Sequence, residues 1–541
     1  MTIPYRAIEA AMDRLAHATY GEGSIDPAMR ERVQIAVSGA EIDLRIVGIA
    51  TTPDDSEALF LAPGYPVDEV RVAARAAQRA APAVGGAQLR PLPDARGPAE
   101  AESRARGARA EDPARPEGRR IKLNVAVVPA RSPKPKADLL VFLAGGPGQA
   151  AIEAYPKIEA GFQPMLRDRH LLLVDQRGTG GSNRLACPQA PEDVLDDAQG
   201  SSTDAFRRQA EDCLAAVRDH ADPRQYTSSN AIHDLETLRA ALGNPQYNLV
   251  GGSYGSRVAL SYLQAKPDGL RSVIVDGVVP QEEPLAQSHA RNLDDGLAAI
   301  FAACREDKTC TARFGDPAAT LSALRLKLRE APILVTLPDP LTHAPVTRKL
   351  GEFGLVGVVR LYSYAPESAA LLPLLIDEAA KGRAEALVAQ GLIISRDLGK
   401  QLAHGMELSV ICAEDAPELR VRPEDEARLI GNLLPKLVLA QCPVWPTGTR
   451  PEGFKQPVVS DKPVLLLSGE WDPVTPPRYG DEVARSLPNG RHLVVRGQGH
   501  NVLPVGCMPK LFAAFIASAE TLLSAAAVDQ MAKGQQKTNY D

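Results

Sequence analysis

The chain contains 541 residues, of which 44% are hydrophobic and 24% are charged, and its formal net charge is −6. A chain of this length and composition is typical of a globular protein, either one large α/β domain with an insertion or several domains of average size. The mildly acidic balance gives no overall attraction to nucleic acid or to an anionic membrane surface. The longest apolar runs have the length of β-strands and fall far short of a membrane span, so we expect a soluble protein.

The first 115 residues differ in composition from the rest of the chain. Apolar residues recur at helical spacing from Tyr5 to Leu15, and two alternating runs around Gly39 predict a short hairpin over residues 33–46. Residues 73–120 are rich in Ala, Arg and Pro, which predicts a mobile linker or surface tail. Because acidic residues interrupt the arginines and aromatic residues are absent, a nucleic-acid-binding tail is disfavoured.

The start of the chain and its cysteines point to different compartments. Residues 1–6 lack the cationic start and the apolar core of a secretory signal. The seven cysteines nevertheless include three close pairs, as in exported proteins with structural disulfides: Cys187/Cys213, Cys304/Cys310 and Cys412/Cys442, with Cys507 left over. Free buried thiols are the alternative. The cysteines and the nine histidines show no zinc-binding spacing, so we expect no metal site.

From Ile121 onward, short apolar runs alternate with helical patterns. Helices are predicted between several of these runs, notably over residues 231–242 and 255–264. Nearly continuous apolar strands that alternate with helices predict a mostly parallel sheet covered on both faces. The strand candidates are Ile121–Val128, Leu139–Ala144, Leu171–Asp175, Tyr247–Gly251, Ser272–Asp276, Pro463–Ser468 and His492–Val495.

The strand pattern stops near residue 284 and resumes near residue 458. Helical periodicity takes its place, for example at Ala427, Ile430, Leu434 and Leu437, which predicts an inserted helical cap. The predicted organisation is an N-terminal extension (1–115), a core in two parts (116–283 and 458–525), the cap (284–457) and a C-terminal tail (526–541).

The segment Tyr247–Leu260 combines an apolar strand, a sharp turn and an amphipathic helix, with Ser253 at the apex of the turn. Gly251 and Gly255 flank the serine in the G-x-S-x-G pattern of a nucleophile elbow. Side chains at these two positions would strike the neighbouring strand or helix of so tight a turn. The following helix begins at the serine, where its free N–H groups favour the negative charge of acyl transfer. A glycine-rich turn without a catalytic role is the alternative for this segment alone.

A second glycine-rich segment follows the strand Leu139–Ala144. In this loop, Gly145–Gly148, the small residues let backbone amides approach a substrate carbonyl closely. We predict that the N–H group of Gly146, together with that of Tyr254, forms an oxyanion hole.

An acid and a base follow the last two predicted strands. Asp472 comes just after one strand and His500 just after the next, positions at which ligands bind in open α/β sheets. Taken singly, Asp472 is typical of a turn before proline and His500 of a surface loop. Together with Ser253 they stand in the chain order that the α/β-hydrolase fold requires, so the combination predicts a catalytic triad.

The combined motifs resemble the α/β-hydrolase peptidases of the prolyl iminopeptidase and tripeptidyl aminopeptidase group, peptidase family S33. The resemblance extends over roughly residues 118–520 and rests on Ala144–Gly148, the run D-Q-R-G-T-G-G-S from Asp175 to Ser182, the elbow Gly251–Gly255, Gly469–Pro476 and Gly499–His500. It implies that Ser253 is the nucleophile, His500 the general base and Asp472 the group that orients the base. Ala144 replaces the histidine usual in the family, which leaves the backbone donors of the loop in place.

One stretch of the cap, Cys412–Asp415, resembles the tripeptidyl aminopeptidase branch. The resemblance implies that Glu414 and Asp415 lie near the free amino terminus of the substrate. A carboxylate there pairs with an ammonium group and rejects internal peptide segments. A solvated turn or a helix cap is the alternative for these two residues.

The sequence therefore predicts an α/β-hydrolase fold with an inserted helical cap and a serine aminopeptidase that cleaves short N-terminal segments from peptides. The chemistry requires no metal or organic cofactor. A carboxylesterase on the same triad is the alternative enzyme, and an inactive hydrolase-fold binding protein is the alternative from another class. The expected partners are short peptides with a free amino terminus, with no nucleic acid and no membrane span, and the oligomeric state is left open. The cysteine pattern and the resemblance favour a periplasmic or secreted location.

Overall fold

The structure is a computed structural model that describes residues 48–51, 57–60, 108–188 and 202–518. The predicted helix over residues 5–15, the hairpin over residues 33–46 and the tail over residues 526–541 lie outside the described residues. The chain divides into two compact units, residues 1–76 and 77–541. In the first unit, β1 (Gly48–Thr51) pairs antiparallel with β2 (Glu57–Phe60). The other elements that the structure describes belong to the second unit.

A seven-stranded sheet forms the centre of the second unit. Its strand order is β13-β12-β9-β8-β6-β7-β5, and every neighbouring pair is parallel except β5 and β7. The strands of this unit are β3 (Ala108–Ala110), β4 (Arg120–Lys122), β5 (Val125–Val128), β6 (Leu139–Leu143), β7 (Leu171–Val174), β8 (Tyr247–Gly252), β9 (Leu270–Asp276), β10 (Ile333–Pro338), β11 (Pro345–Leu350), β12 (Val464–Gly469) and β13 (Gly490–Val495).

The inner strands are buried on both faces. Every residue of β6, β7 and β12 is buried, as expected for a parallel sheet with helices on each side. The predicted strand Ile121–Val128 is interrupted in the structure. It divides into β4 and β5 around Asn124, whose side-chain amide donates to Asp175 Oδ2 across 2.7 Å. The mostly parallel sheet expected from the sequence is confirmed.

Helices cover the sheet, and two of them coincide with the helices predicted over residues 231–242 and 255–264. Before the insertion the helices are α1 (Ala151–Phe162), α2 (Thr203–Val217), α3 (Ser228–Ala241) and α4 (Tyr254–Ala265). Short 3-10 helices occur at Met165–Arg167, Pro223–Gln225, Pro267–Gly269, Pro423–Asp425 and Cys442–Val444.

The region between β9 and β12 is mostly helical and has an apolar core of its own. Leu297, Leu328, Val359 and Ile376 are among the buried residues of this core. The helices here are α5 (His289–Glu306), α6 (Lys308–Phe314), α7 (Pro317–Glu330), α8 (Glu352–Tyr362), α9 (Pro366–Ala369), α10 (Leu372–Ala380), α11 (Glu385–Gln401), α12 (His404–Glu414) and α13 (Leu433–Gln441). Two helices follow it, α14 (Pro477–Ala484) and α15 (Met508–Ala517).

Two details of this region differ from the expectation. The strands β10 and β11 pair antiparallel as a hairpin within the predicted cap. In addition, the helical periodicity from Ala427 to Leu437 corresponds to a helix only from Leu433 onward, since residues 426–432 form turns and bends. The outer limits of the cap at residues 284 and 457 stay a proposal.

Residues 108–115, which fall within the predicted N-terminal extension, belong to the second unit. β3 pairs with β4, and the buried Glu111 accepts hydrogen bonds from Tyr226 and from the N–H group of Asp222, each across 2.8 Å. This segment is therefore joined to β4 and to the chain between α2 and α3.

Three disulfides join the cysteine pairs suggested by their spacing. The bonds are Cys187–Cys213, Cys304–Cys310 and Cys412–Cys442, and Cys507 lies outside them. Within the ranges that the structure describes, no helix combines the length and apolarity needed to cross a bilayer.

Candidate active site

Ser253 occupies a strained turn between β8 and α4. Its backbone angles are φ 54° and ψ −123°, a left-handed conformation that side chains rarely adopt. A Cβ atom at residue 251 would collide with the carbonyl oxygen of Gly255, and one at residue 255 with the carbonyl oxygen of Leu143. The two glycines thus have the steric role expected of them, since only glycine permits so close an approach of the two chain segments.

Asp472 and His500 form a direct hydrogen bond. Nδ1 of His500 donates to Oδ2 of Asp472 across 2.8 Å. The side chain of Asp472 is 0% exposed and that of His500 is 5% exposed. Asp472 lies three residues beyond β12 and His500 five residues beyond β13, so the two neighbouring parallel strands place both side chains at the same end of the sheet.

Further donors fix the carboxylate of Asp472. The N–H groups of Val474 and Thr475 donate to Oδ1, each across 2.8 Å, and the hydroxyl of Thr475 donates to Oδ2 across 2.8 Å. The same hydroxyl lies 3.1 Å from Nδ1 of His500. No role for Thr475 was predicted from the sequence, although the residue stands in the D-P-V-T-P stretch.

The two side chains shift each other's pKa in opposite directions. Burial alone raises the pKa of Asp472, but the charge of His500 and four hydrogen bonds hold this pKa below its ordinary value. Burial alone lowers the pKa of His500, but the charge of Asp472 and the bond to it raise that pKa above its ordinary value. The pair therefore favours an imidazole with its proton on Nδ1 and a carboxylate that stays ionised.

Asp276, the last residue of β9, links the serine to the histidine loop. Its carbonyl oxygen accepts from the N–H group of Ser253 across 2.8 Å, and its carboxylate accepts from those of Val502 and Leu503. A Cβ atom at the next residue, Gly277, would lie 3.0 Å from Cε1 of His500. Ser253 therefore lies beside Asp276, and His500 lies beside the next residue in the chain, Gly277. Burial raises the pKa of Asp276 to about 6.

The glycine-rich loop approaches Ser253 closely. A Cβ atom at Gly145 would lie 3.1 Å from Cβ of Ser253, and Gly146 has φ 106°. On its other side the loop contacts the start of α12, where the N–H group of Ala403 donates to the carbonyl oxygen of Gly148 across 2.9 Å. Gly146 and Tyr254, the predicted oxyanion donors, thus stand on the two segments that adjoin Ser253. Their role as donors stays a prediction.

The run Asp175–Ser182 braces this loop. The carboxylate of Asp175 accepts from the N–H groups of Ile152 and Gly181, each across 3.0 Å. Arg177 is buried and donates twice to the carboxylate of Asp234, each time across 2.7 Å. Ile152 belongs to α1, the helix that follows the glycine-rich loop. The hydrogen bond to Asp175 therefore anchors the chain just after this loop.

Glu414 and Asp415 are both buried rather than solvated. Glu414 accepts from the N–H group of Ser228 across 2.7 Å and from its hydroxyl across 2.8 Å. Burial and the neighbouring charge of Asp415 raise the pKa of Glu414 to about 7. Asp415 pairs with Arg257 at 2.8 Å and also with Lys455. The predicted contact of these carboxylates with a substrate amino terminus stays a prediction.

Groups from the helical insertion surround His500, and no sequence motif indicated them. The N–H group of His500 donates to the carbonyl oxygen of Tyr364 across 2.6 Å, and the two rings meet edge to face with centroids 5.4 Å apart. The guanidinium of Arg360 lies 5.7 Å from the Tyr364 ring centroid. Burial and the charge of Arg360 lower the pKa of His289 to about 3. The insertion therefore supplies part of the environment of the base.

Comparison with known protein families agrees with this architecture. The model of the alpha/beta hydrolase fold matches residues 138–336, and the model described as TAP-like protein matches residues 427–522. The chain thus has the α/β-hydrolase fold. The expected resemblance to the tripeptidyl aminopeptidase and proline iminopeptidase group is confirmed by its relatives.

Three of these relatives are peptidases by name. The chain is 25% identical over 54% of its length to the serine protease Hip1 of Mycobacterium tuberculosis, and the match spans 59% of Hip1. It is 28% identical over 35% of its length to the tripeptidyl aminopeptidase of Streptomyces lividans, spanning 37% of that protein. It is also 28% identical over 27% of its length to a probable proline iminopeptidase of Leptolyngbya boryana, spanning 34% of it. The chain thus covers less than two thirds of each of these relatives.

Proposed function

We propose that the chain is a serine hydrolase of the aminopeptidase type, which removes short N-terminal segments from peptides through an acyl-enzyme. The observation that carries the proposal is the buried hydrogen bond between Asp472 and His500, at the sheet edge where the strained elbow presents Ser253. The peptidase names of the relatives favour peptides over other acyl substrates.

In the proposed mechanism, Nε2 of His500 takes the proton of Ser253 as the serine oxygen attacks the acyl carbon. This assignment follows from the bond at Nδ1, which leaves Nε2 as the acceptor of the neutral imidazole. The N–H groups of Gly146 and Tyr254 stabilise the oxyanion. His500 then gives its proton to the leaving amine, and water releases the acyl group by the same steps.

Labelling and turnover test the triad together. A fluorophosphonate probe is expected to label the wild-type protein and not Ser253→Ala. We expect Ser253→Ala and Asp472→Asn each to reduce kcat by about 10⁴-fold, by analogy with other triads. Loss below about tenfold in either variant, with folding intact by circular dichroism, would contradict the assignment. Wild-type protein that is folded but unlabelled would instead favour an inactive binding protein.

The leaving group separates a peptidase from an esterase. Tripeptide and proline anilides should be turned over with kcat/KM comparable to or above that of simple acyl esters of similar size. The esters have the better leaving group. An enzyme that cleaves the esters and not the anilides is a carboxylesterase, and this result would reject the peptidase proposal.

The amino-terminus role of Glu414 and Asp415 is tested with pairs of anilides that are free or acetylated at the amino terminus. We expect the wild type to prefer the free form and Glu414→Gln to lose this preference, because the variant removes the charge that pairs with an ammonium group. Glu418→Gln is the control, since Glu418 stands close in sequence but pairs with Arg450. An unchanged preference in Glu414→Gln would assign Glu414 to the protein interior alone.

A further inference from the structure

We propose that Arg360 is a binding residue for a carboxylate carried by the leaving portion of the substrate. The enzyme would then prefer short peptides whose free C-terminal carboxylate lies close to the scissile bond. This inference rests on the proposed function and narrows its substrate class.

The position of Arg360 is set by two aromatic contacts. Arg360 lies in the last turn of α8, and its guanidinium is 5.7 Å from the ring centroid of Tyr364. The Tyr364 ring in turn meets the ring of His500 at 5.4 Å, and the Tyr364 carbonyl oxygen fixes the His500 backbone at 2.6 Å. One aromatic ring therefore separates the guanidinium from the proposed base.

The charge of Arg360 has no carboxylate partner at ion-pair distance among the residues that the structure describes. Two arginines of α7 behave differently, because Arg325 and Arg329 both pair with Glu352. Two carboxylates near the site have other partners. Asp472 is hydrogen-bonded to His500, and a carboxylate oxygen of Glu407 lies 2.7 Å from Nδ1 of His404. Arg360 is partly exposed, so an anion from solution has access to it.

An unpaired guanidinium here influences its surroundings electrostatically. The charge of Arg360 lowers the pKa of His289 and opposes the rise in the pKa of His500. Both effects have the sign expected of a positive charge close to an imidazole. A bound carboxylate would neutralise this charge and form two parallel hydrogen bonds with the planar guanidinium.

The chemistry indicates which part of the substrate meets Arg360. His500 must give a proton to the leaving amine, so the groups beyond His500 face the part of the peptide that follows the scissile bond. The guanidinium carbon of Arg360 lies 5.7 Å from the ring centroid of Tyr364, and this centroid lies 5.4 Å from that of the His500 ring. An extended chain advances about 3.3–3.6 Å per residue, so a carboxylate roughly one to three residues past the scissile bond can reach Arg360.

Three peptides with the same N-terminal segment test the subsite. The residue after the scissile bond is alanine with a free carboxylate, alanine amide, or aspartate amide. We expect wild-type kcat/KM to be about 10- to 100-fold higher for the free acid than for alanine amide, mainly through KM, as for other charge-assisted hydrogen bonds. A preference for aspartate amide over alanine amide would show that a side-chain carboxylate is accepted too.

Substitution assigns the preference to one residue. Arg360→Gln should abolish the preference for the free acid over alanine amide, whereas Arg360→Lys should restore part of this preference. Arg329→Gln is the control for loss of a guanidinium and should change nothing. Equal wild-type turnover of acid and amide, or an equal loss on all three peptides in Arg360→Gln, would overturn the subsite alone. Hydrolysis of none of the peptides would reject the proposed function, and this inference with it.

Discussion

Thr475 connects the acid and the base of the site through a single hydroxyl group. This hydroxyl donates to Oδ2 of Asp472 across 2.8 Å and lies 3.1 Å from Nδ1 of His500. The same carboxylate oxygen accepts the hydrogen bond of Nδ1 of His500. The hydroxyl therefore helps to set the direction in which Oδ2 accepts from the imidazole.

We expect Thr475→Val to reduce kcat/KM by about tenfold, because the variant keeps the shape of the side chain and loses one hydrogen bond to Oδ2. Thr475→Ser is the control and should retain most of the activity, since it keeps the hydroxyl. Steady-state kinetics on a tripeptide anilide measures the effect. If Thr475→Val equals the wild type, the backbone N–H groups of Val474 and Thr475 suffice to hold the carboxylate.

For single residues, the sequence identifies those that belong to a motif. It does not identify residues whose importance depends on contacts made only in the folded protein. The positions of Ser253, Asp472 and His500 just after strands were predictable, because each residue stands in a recognisable stretch. The contacts of Asp276 and Arg360 were not, since they depend on neighbours brought close by folding. Asp276 joins the elbow to the N–H groups of Val502 and Leu503, which lie more than 220 residues further along the chain.

Among the elements, the C-terminal end of α12 is joined to the elbow by a line of hydrogen bonds. Ser228 Oγ donates to Glu414 and lies 2.7 Å from the hydroxyl of Tyr254, to which Gln176 donates across 3.1 Å. Ser228 begins α3 and Tyr254 begins α4. A buried carboxylate from the insertion thus holds two helix starts of the core together.

Glu414 should make folding stability depend on pH. Its pKa is about 7 in the folded protein, against an ordinary value of 4.5, so the folded state binds the proton more tightly. The resulting stabilisation is complete below about pH 4.5 and is lost as the pH rises through about 7, to a total of roughly 3 kcal/mol at most. We therefore expect the free energy of unfolding of Glu414→Gln to fall less than that of the wild type between pH 5 and pH 8.

Urea denaturation at the two pH values measures this difference. Asp276, with a pKa of about 6, contributes a change of the same sign to both proteins and cancels in the comparison. Glu418→Gln provides the control, because Arg450 lowers the pKa of Glu418 instead of raising it. The same pH dependence in Glu414→Gln and wild type would mean that Glu414 is ionised in the folded state throughout this range.

The hairpin of β10 and β11 shows why the core strands were more predictable from the sequence than the insertion. The core strands are short apolar runs buried on both faces, a pattern visible without any knowledge of neighbours. In β10 the buried and exposed positions alternate, yet Leu334, an outward position, is apolar and 75% exposed. The sequence therefore lacks the polar alternation by which a half-exposed strand is recognised.

For the whole molecule, the disulfides join segments that belong to the same part of the fold. Two of them lie within the insertion and one lies within the core. Cys412–Cys442 joins α12 to the chain just after α13, and Cys187–Cys213 fastens α2 to the segment after Asp175–Ser182. The spacing of the cysteines along the chain is enough to suggest these pairs. Spacing alone does not reveal that Cys412 and Glu414 are both buried, in a helix whose end contacts Ser228 of the core.

Removal of the bond between Cys412 and Cys442 should destabilise the protein more than removal of the bond between Cys304 and Cys310. The first bond closes a loop with a sequence separation of 30 and the second one of 6. Loop-closure entropy then predicts a loss of about 3–4 kcal/mol for Cys412→Ala/Cys442→Ala and about 2 kcal/mol for Cys304→Ala/Cys310→Ala.

The two double variants also differ in what they should do to catalysis. Cys412 is on α12, whose start contacts the glycine-rich loop and whose end holds Ser228, so loosening α12 should lower kcat/KM as well as stability. Cys304–Cys310 joins α5 to α6 and should leave kcat/KM near that of wild type. Urea denaturation and anilide turnover, both without reductant, measure the two effects. If both double variants lose stability equally while kcat/KM stays unchanged in each, α12 does not depend on its disulfide to support the site.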